Sequence, residues 1–182
     1  TKTDGTLWSW GGNTDGNLGL NQSAPNKRSS PCQIGGGLLN PPTDWKTPRA
    51  GRDISAAIKT NGTLWMWGRG YEGATGQNNR TDYSSPRQVA GRWKSVSLGT
   101  QPYVLGVKTD GTLWGWGNGI RGQLGQNQGS ANINYSSPVQ IPGSTWNESK
   151  MSNGVQSVHI IKTDGTLWSW GMNGYGALGF NN

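Results

Sequence analysis

The chain has 182 residues, 16 Lys and Arg against 9 Asp and Glu for a net charge of +7, and it combines 31 Gly with 11 Trp. That many indoles exclude a disordered polar tract, and no run approaches the roughly 20 apolar residues of a membrane helix. One Cys (Cys32) and one His (His159) exclude a disulfide framework, a multi-thiolate metal site and His-based triads, so the composition reads as no enzyme and no cofactor.

The first phrase, KTDGTLWSWG from Lys2 to Gly11, predicts a turn at Asp4-Gly5, because both residue types tolerate positive φ. Beyond the turn, Thr-Leu-Trp-x-Trp alternates with period two, which puts Trp8 and Trp10 on one sheet face. A run of three glycines spaced Gly-x4-Gly-x2-Gly follows at Gly11, Gly16 and Gly19. It lacks the Lys and Ser/Thr of a phosphate-binding loop, since Asn17 comes after the second glycine, and the glycines are read as turn residues. Ser29-Ser30-Pro31-x-Gln33-Ile34 predicts another strand, with Pro at its start or on a sheet edge. A long insert, Gly35 to Arg52, carries a lone Trp45. A β-branched run from Ile54 to Ile58 then leads into the next turn, Asn61-Gly62.

From there the order repeats. The opening phrase returns at 59, 108 and 162, at spacings of 57, 49 and 54 residues. The glycine run returns at Gly68/Gly73/Gly76, Gly117/Gly122/Gly125 and Gly171/Gly176/Gly179, and the Ser-Ser-Pro phrase at 84–89 and 136–141. Lone tryptophans follow at Trp93 and Trp146, and pre-turn strands are expected at Tyr103 to Val107 and Val158 to Ile161. Self-similarity at this period signals a repeat architecture. The prediction is an all-β fold of four antiparallel strands per repeat. Two Trp on one face of so small a sheet cannot be buried alone, so the sheets should stack radially as β-propeller blades. In this order the chain starts and stops on third strands. That predicts thirteen strands, about three and a quarter blades, in one domain spanning 1–182. A segment of a longer chain is expected, with a homo-oligomer completing the ring as the other route.

The KTDGTLWSWG phrase, the GGNTDGNLG (11–19) and GMNGYGALG (171–179) phrases and the SSPxQI phrase resemble the regulator of chromosome condensation repeat family. The resemblance covers nearly the whole chain and implies blades of a seven-bladed propeller. Its wording is similar to the bacterial and phage-borne branch. That implies a structural or adhesive component of a larger assembly, virion- or tail-associated or on a bacterial surface. Its loops would bind other protein subunits or a surface glycan. The alternative implied is a soluble regulatory propeller of the guanine-nucleotide exchange or chromatin-binding type. Family members often carry a His on the pre-turn strand, but Ile54, Tyr103 and Ser157 stand there, and His159 is read as a half-buried structural residue.

The paired tryptophans Trp8/Trp10, Trp65/Trp67, Trp114/Trp116 and Trp168/Trp170 are assigned to the blade core, and Trp114→Ala is expected to cost about 3–5 kcal/mol. Binding is assigned to the loops that vary in length, at 20–28, 35–52, 77–83, 126–135 and 143–154. Within them Trp45, Lys46, Arg49, Arg52 and Trp146 are the candidate binding residues. The basic charge is diluted over loops and matches no nucleic-acid motif, so nucleic acid is not the expected partner. Membrane insertion is not expected either.

Overall fold

The computed structural model describes residues 1–22, 27–127 and 133–180. Among them, thirteen strands form four antiparallel sheets. β1 (Trp8–Gly12) and β2 (Lys27–Gln33) make the first. The second has the order β3 (Trp45–Ala50), β4 (Ile54–Lys59), β5 (Leu64–Gly68), β6 (Tyr83–Val89). The third repeats that order with β7 (Trp93–Leu98), β8 (Tyr103–Lys108), β9 (Leu113–Asn118) and β10 (Asn134–Ile141). The fourth contains β11 (Trp146–Asn153), β12 (Ser157–Lys162) and β13 (Leu167–Gly171). The leading strands gather on the inner side, with β7 touching both β3 and β11. The sheets are blades of a partial propeller, and the strands divide among them as the repeat predicts.

Each turn phrase folds through one local device. At all four turns a glycine with φ between 78° and 87° (Gly5, Gly62, Gly111, Gly165) closes onto the carbonyl of the preceding Lys at 2.9–3.0 Å. The Thr two residues beyond the Asp or Asn donates both N–H and Oγ1–H to that side-chain oxygen. The same hydroxyl accepts the indole N–H of the first Trp of the pair, at 2.8–3.0 Å for Trp8, Trp65, Trp114 and Trp168. The Lys then lies over that ring, as with Lys108 Nζ at 3.5 Å from the Trp114 centroid. The desolvation this imposes lowers the Lys108 pKa. The phrase is therefore a self-contained hydrogen-bonded corner.

The Ser-Ser-Pro strands start earlier than expected, and their prolines lie inside β2, β6 and β10 rather than at the first residue. Pro is accepted there because these are outer edge strands, and each pairing shifts register around it.

The core forms three clusters, each spanning neighbouring sheets. The middle one joins Ile58, Leu64 and Met66 of the second blade to Trp93, Val104 and Trp116 of the third. Trp45 and Trp146 also belong to this core, which corrects their reading as loop binding residues. They open strands β3 and β11 and are buried in the clusters, because a bare indole in a loop would forgo the burial of a large apolar surface. The lone Trp93 plays the same part, and its Nε1 donates to Ala90 O across a link of three residues. Where the link is ten or four residues long, the buried Nε1 atoms of Trp45 and Trp146 find no such partner.

Candidate functional site

The joints between blades come first, because they decide what surface is left over. The second Trp of each of the last three pairs crosses to the preceding blade. Trp67 Nε1 donates to Asn17 O at 3.0 Å, Trp116 Nε1 to Ala74 O at 3.0 Å, and Trp170 Nε1 to Gln123 O at 2.9 Å. Each acceptor follows the second glycine of its glycine run. The third glycine is required by close approach: a Cβ on Gly19 or Gly76 would stand 2.8 or 3.0 Å from the incoming indole nitrogen. Tyr103 adds another tie, its hydroxyl donating to Gly154 O at 2.8 Å, and burial raises its pKa.

The eight paired tryptophans thus divide. Trp67 and Trp116 are buried, and Trp8, Trp65, Trp114 and Trp170 are half-buried. Trp10 (62% exposed) and Trp168 (48%) are exposed, which corrects their assignment to the core; no described blade covers those faces. Lys46 and Arg49 are exposed on strand β3 rather than in a loop, because residues 45–50 pair with β4. Arg52 lies in the following turn against Asp53 at 3.7 Å. The structure does not bring the five candidate binding residues together: two are inside and three lie along β3 and its turn. His159 is half-buried on β12. Residues 23–26 and 128–132, parts of two candidate loops, lie outside the described residues.

Among the exposed links is the insert at residues 35–44, the longest between a Ser-Ser-Pro strand and a lone Trp. Two tight turns shape it, Gly36 N to Gln33 O at 3.2 Å and Leu38 N to Gly35 O at 3.0 Å, and Gly35 takes φ 75° for the first bend. The turns push Leu38 (60% exposed) and Leu39 (96%) into solvent. Beside them runs a groove of about 620 Å³ between the first and second blades, walled by Trp65, Lys59, Ile34, Leu38, Pro42 and Pro86. Lys59 Nζ is fixed there, 2.9 Å from Asp44 Oδ1 and 5.1 Å from the Trp65 ring centroid. Apolar walls with one anchored cation suit an apolar segment that also carries acceptors. Sequence reasoning marked the span of the insert but not its leucines; the signal was two adjacent large aliphatics in a Gly/Pro-rich link with no strand alternation.

The comparisons with known proteins agree with this architecture. Residues 4–58, 61–102 and 110–159 match the regulator of chromosome condensation (RCC1) repeat. The ultraviolet-B receptor UVR8 of Arabidopsis thaliana is 28% identical over 98% of this chain and 40% of its own length. Human WBSCR16 superposes with a TM-score of 0.77 at 24% identity, over 100% of this chain and 46% of that one. Prp20p from Saccharomyces cerevisiae, a structure described with its binding properties to Gsp1p and histones, gives a TM-score of 0.79 at 23% identity. It is covered over 98% of this chain and 43% of its own. The chain spans less than half the length of these relatives.

Proposed function

The chain belongs to the regulator of chromosome condensation repeat family, and on that premise we propose that it is a non-catalytic propeller module that docks a protein partner at the 35–44 insert. The observation that carries this reading is the exposed pair Leu38 and Leu39 beside the Trp65 and Lys59 groove. The turn phrases and joints account for the packing of the constant strands, and these leucines take no part in it. Exposed aliphatics next to a preformed groove are the makings of a protein contact. The partner we favour is another subunit of a larger assembly, sought first in a virion or at a cell surface.

The test is the native mass of the chain taken from its source without denaturation. It is expected to travel in an assembly larger than itself, and Leu38→Ser with Leu39→Ser should release it while leaving its melting temperature unchanged. Migration as a free chain contradicts the reading.

A regulatory role is the second reading, supported by the receptor name of the Arabidopsis relative and by the binding of Prp20p to Gsp1p and histones. Accelerated release of labelled guanine nucleotide from a small GTPase would put it first. No acceleration over buffer removes the exchange-factor form of it. A glycan array tests the remaining possibility for the loops, and a blank array ends it.

A further inference from the structure

The joint between the second and third blades holds a set of charges that the repeat does not require. Asp53, Arg69 and Glu72 become Pro102, Asn118 and Arg121 one blade later. Glu72 departs in its backbone as well. Its φ of 58° and ψ of 11° lie in the left-handed region, which costs energy for a residue with a Cβ. Its equivalents Asp15, Arg121 and Tyr175 have no positive φ, and none of them is buried. Local strain of this kind gathers at binding sites.

Glu72 is only 7% exposed. Asn118 Nδ2 donates to its Oε2 at 2.6 Å, and Gln123 Nε2 donates to Asn118 Oδ1 at 2.8 Å, so the third blade holds the carboxylate in place. The other carboxylate oxygen receives no hydrogen bond from a described residue, and no described cation forms an ion pair with it. A buried carboxylate so served is short of a counter-charge.

This side chain lines a cavity of about 150 Å³. Every wall comes from the two four-stranded blades: the corner between β3 and β4, the link that follows β5, and the β7–β8 turn. Nearer the surface stand two guanidinium groups, on side chains 76% (Arg52) and 44% (Arg69) exposed. Both are drawn to Asp53 Oδ2, at 3.7 and 3.4 Å, and Arg69 lies 5.0 Å from the Tyr71 ring centroid. One carboxylate oxygen shared by two guanidiniums leaves most of their donors open at the mouth. Across from them, the side chains of Thr100 and Gln101 make no hydrogen bond to a described residue.

A ligand of one sign would meet its own charge at one end of this cavity, an anion at Glu72 and a cation at the arginines. We propose that the cavity binds a small zwitterion, an ammonium and a carboxylate joined by a short aliphatic chain. The ammonium sits on Glu72 and the carboxylate on Arg52 and Arg69. The volume admits one such molecule and not a peptide of several residues. This site is separate from the insert groove and does not rest on the docking proposed there.

Calorimetric titration of the 182-residue chain with glycine, β-alanine and 4-aminobutyrate, which space the two charges progressively further apart, tests this. At least one is expected to bind saturably. Propionate and ethylamine, each keeping a single charge, should bind at least about tenfold more weakly. Glu72→Gln keeps an acceptor for Asn118 and removes the charge, so the preference over propionate should vanish. In a variant combining Arg52→Gln with Arg69→Gln the preference over ethylamine should vanish instead. Arg52→Gln alone changes an exposed side chain, folds as wild type, and should still weaken the best zwitterion several-fold.

Three results would overturn the proposal: no saturable binding by any of the three zwitterions, propionate or ethylamine binding as tightly as the best of them, or an affinity that Glu72→Gln leaves unchanged.

Discussion

The two inner blades and the two outer sheets are written in nearly the same words and meet different fates. Every copy of the turn phrase makes the same Asp/Asn–Thr–Trp corner, whether in the middle of the molecule or at its sides. The second Trp depends instead on what lies across the joint. Trp116 is fully buried against the loop of the preceding blade, whereas Trp10, on an outer sheet, is largely in solvent. One phrase thus contains a local instruction that is always executed and a long-range one that needs a neighbour.

The sharpest way to break this comparison is to truncate both tryptophans. Trp116→Ala is expected to cost about 3–5 kcal/mol in urea unfolding, and Trp10→Ala at low concentration less than about 0.5 kcal/mol. The half-buried Trp114, to which the sequence assigned the larger figure, should fall between them, because its indole N–H is held by its own turn and its ring is only partly buried against the middle cluster. Equal costs at 10 and 116 would remove the distinction.

Glycines sharpen it next. Gly76 and Gly179 have φ of +70° and +73°, so alanine strains both backbones by about 1–2 kcal/mol. At Gly76 the added Cβ also meets Trp116 Nε1 at 3.0 Å, which should add roughly 1–2 kcal/mol of overpacking. The difference between the two melting shifts isolates the joint.

Local corners should behave alike wherever they are. Thr112→Val in an inner blade and Thr166→Val in the outer sheet each remove the hydroxyl that links Trp to Asp, and each should cost about 1 kcal/mol.

The smallest effect is acid sensitivity. Hydrogen bonds from Thr6, Thr112 and Thr166 hold the carboxyls of Asp4, Asp110 and Asp164 below their ordinary pKa. A carboxylate depressed in the folded state contributes fully above its unfolded pKa, and the contribution is lost as pH falls through the folded value. Stability should therefore decline at acid pH. Asp110→Asn, which copies the natural Asn61 corner, should flatten that decline slightly in a pH series of melting temperatures.

These contrasts mark how far the sequence could be read. Strand number, blade phase and turn positions were legible, because period-two alternation and Asp-Gly are short-range signals. Trp45 and Trp146 were misread as loop residues, although Trp93 at the same place in the middle repeat pointed to a structural role. The glycines of the second phrase were read only as turns; that Gly19 and Gly76 make room for the next blade's indole is a contact across 48 and 40 residues, respectively, of sequence. Likewise the reach of Tyr103 to Gly154 has no local signature. Lys46 and Arg49 were visible as charge, but only strand pairing shows that they lie along an inner edge, where Lys and Arg discourage further strand addition.

Solvent exchange of the indole N–H protons, measured by NMR on a dilute sample, tests the central claim most directly. The account predicts slow exchange at Trp67 and Trp116, where the proton is held by a carbonyl of the preceding blade, and fast exchange at Trp10. Exchange at Trp116 as fast as at Trp10 would contradict it.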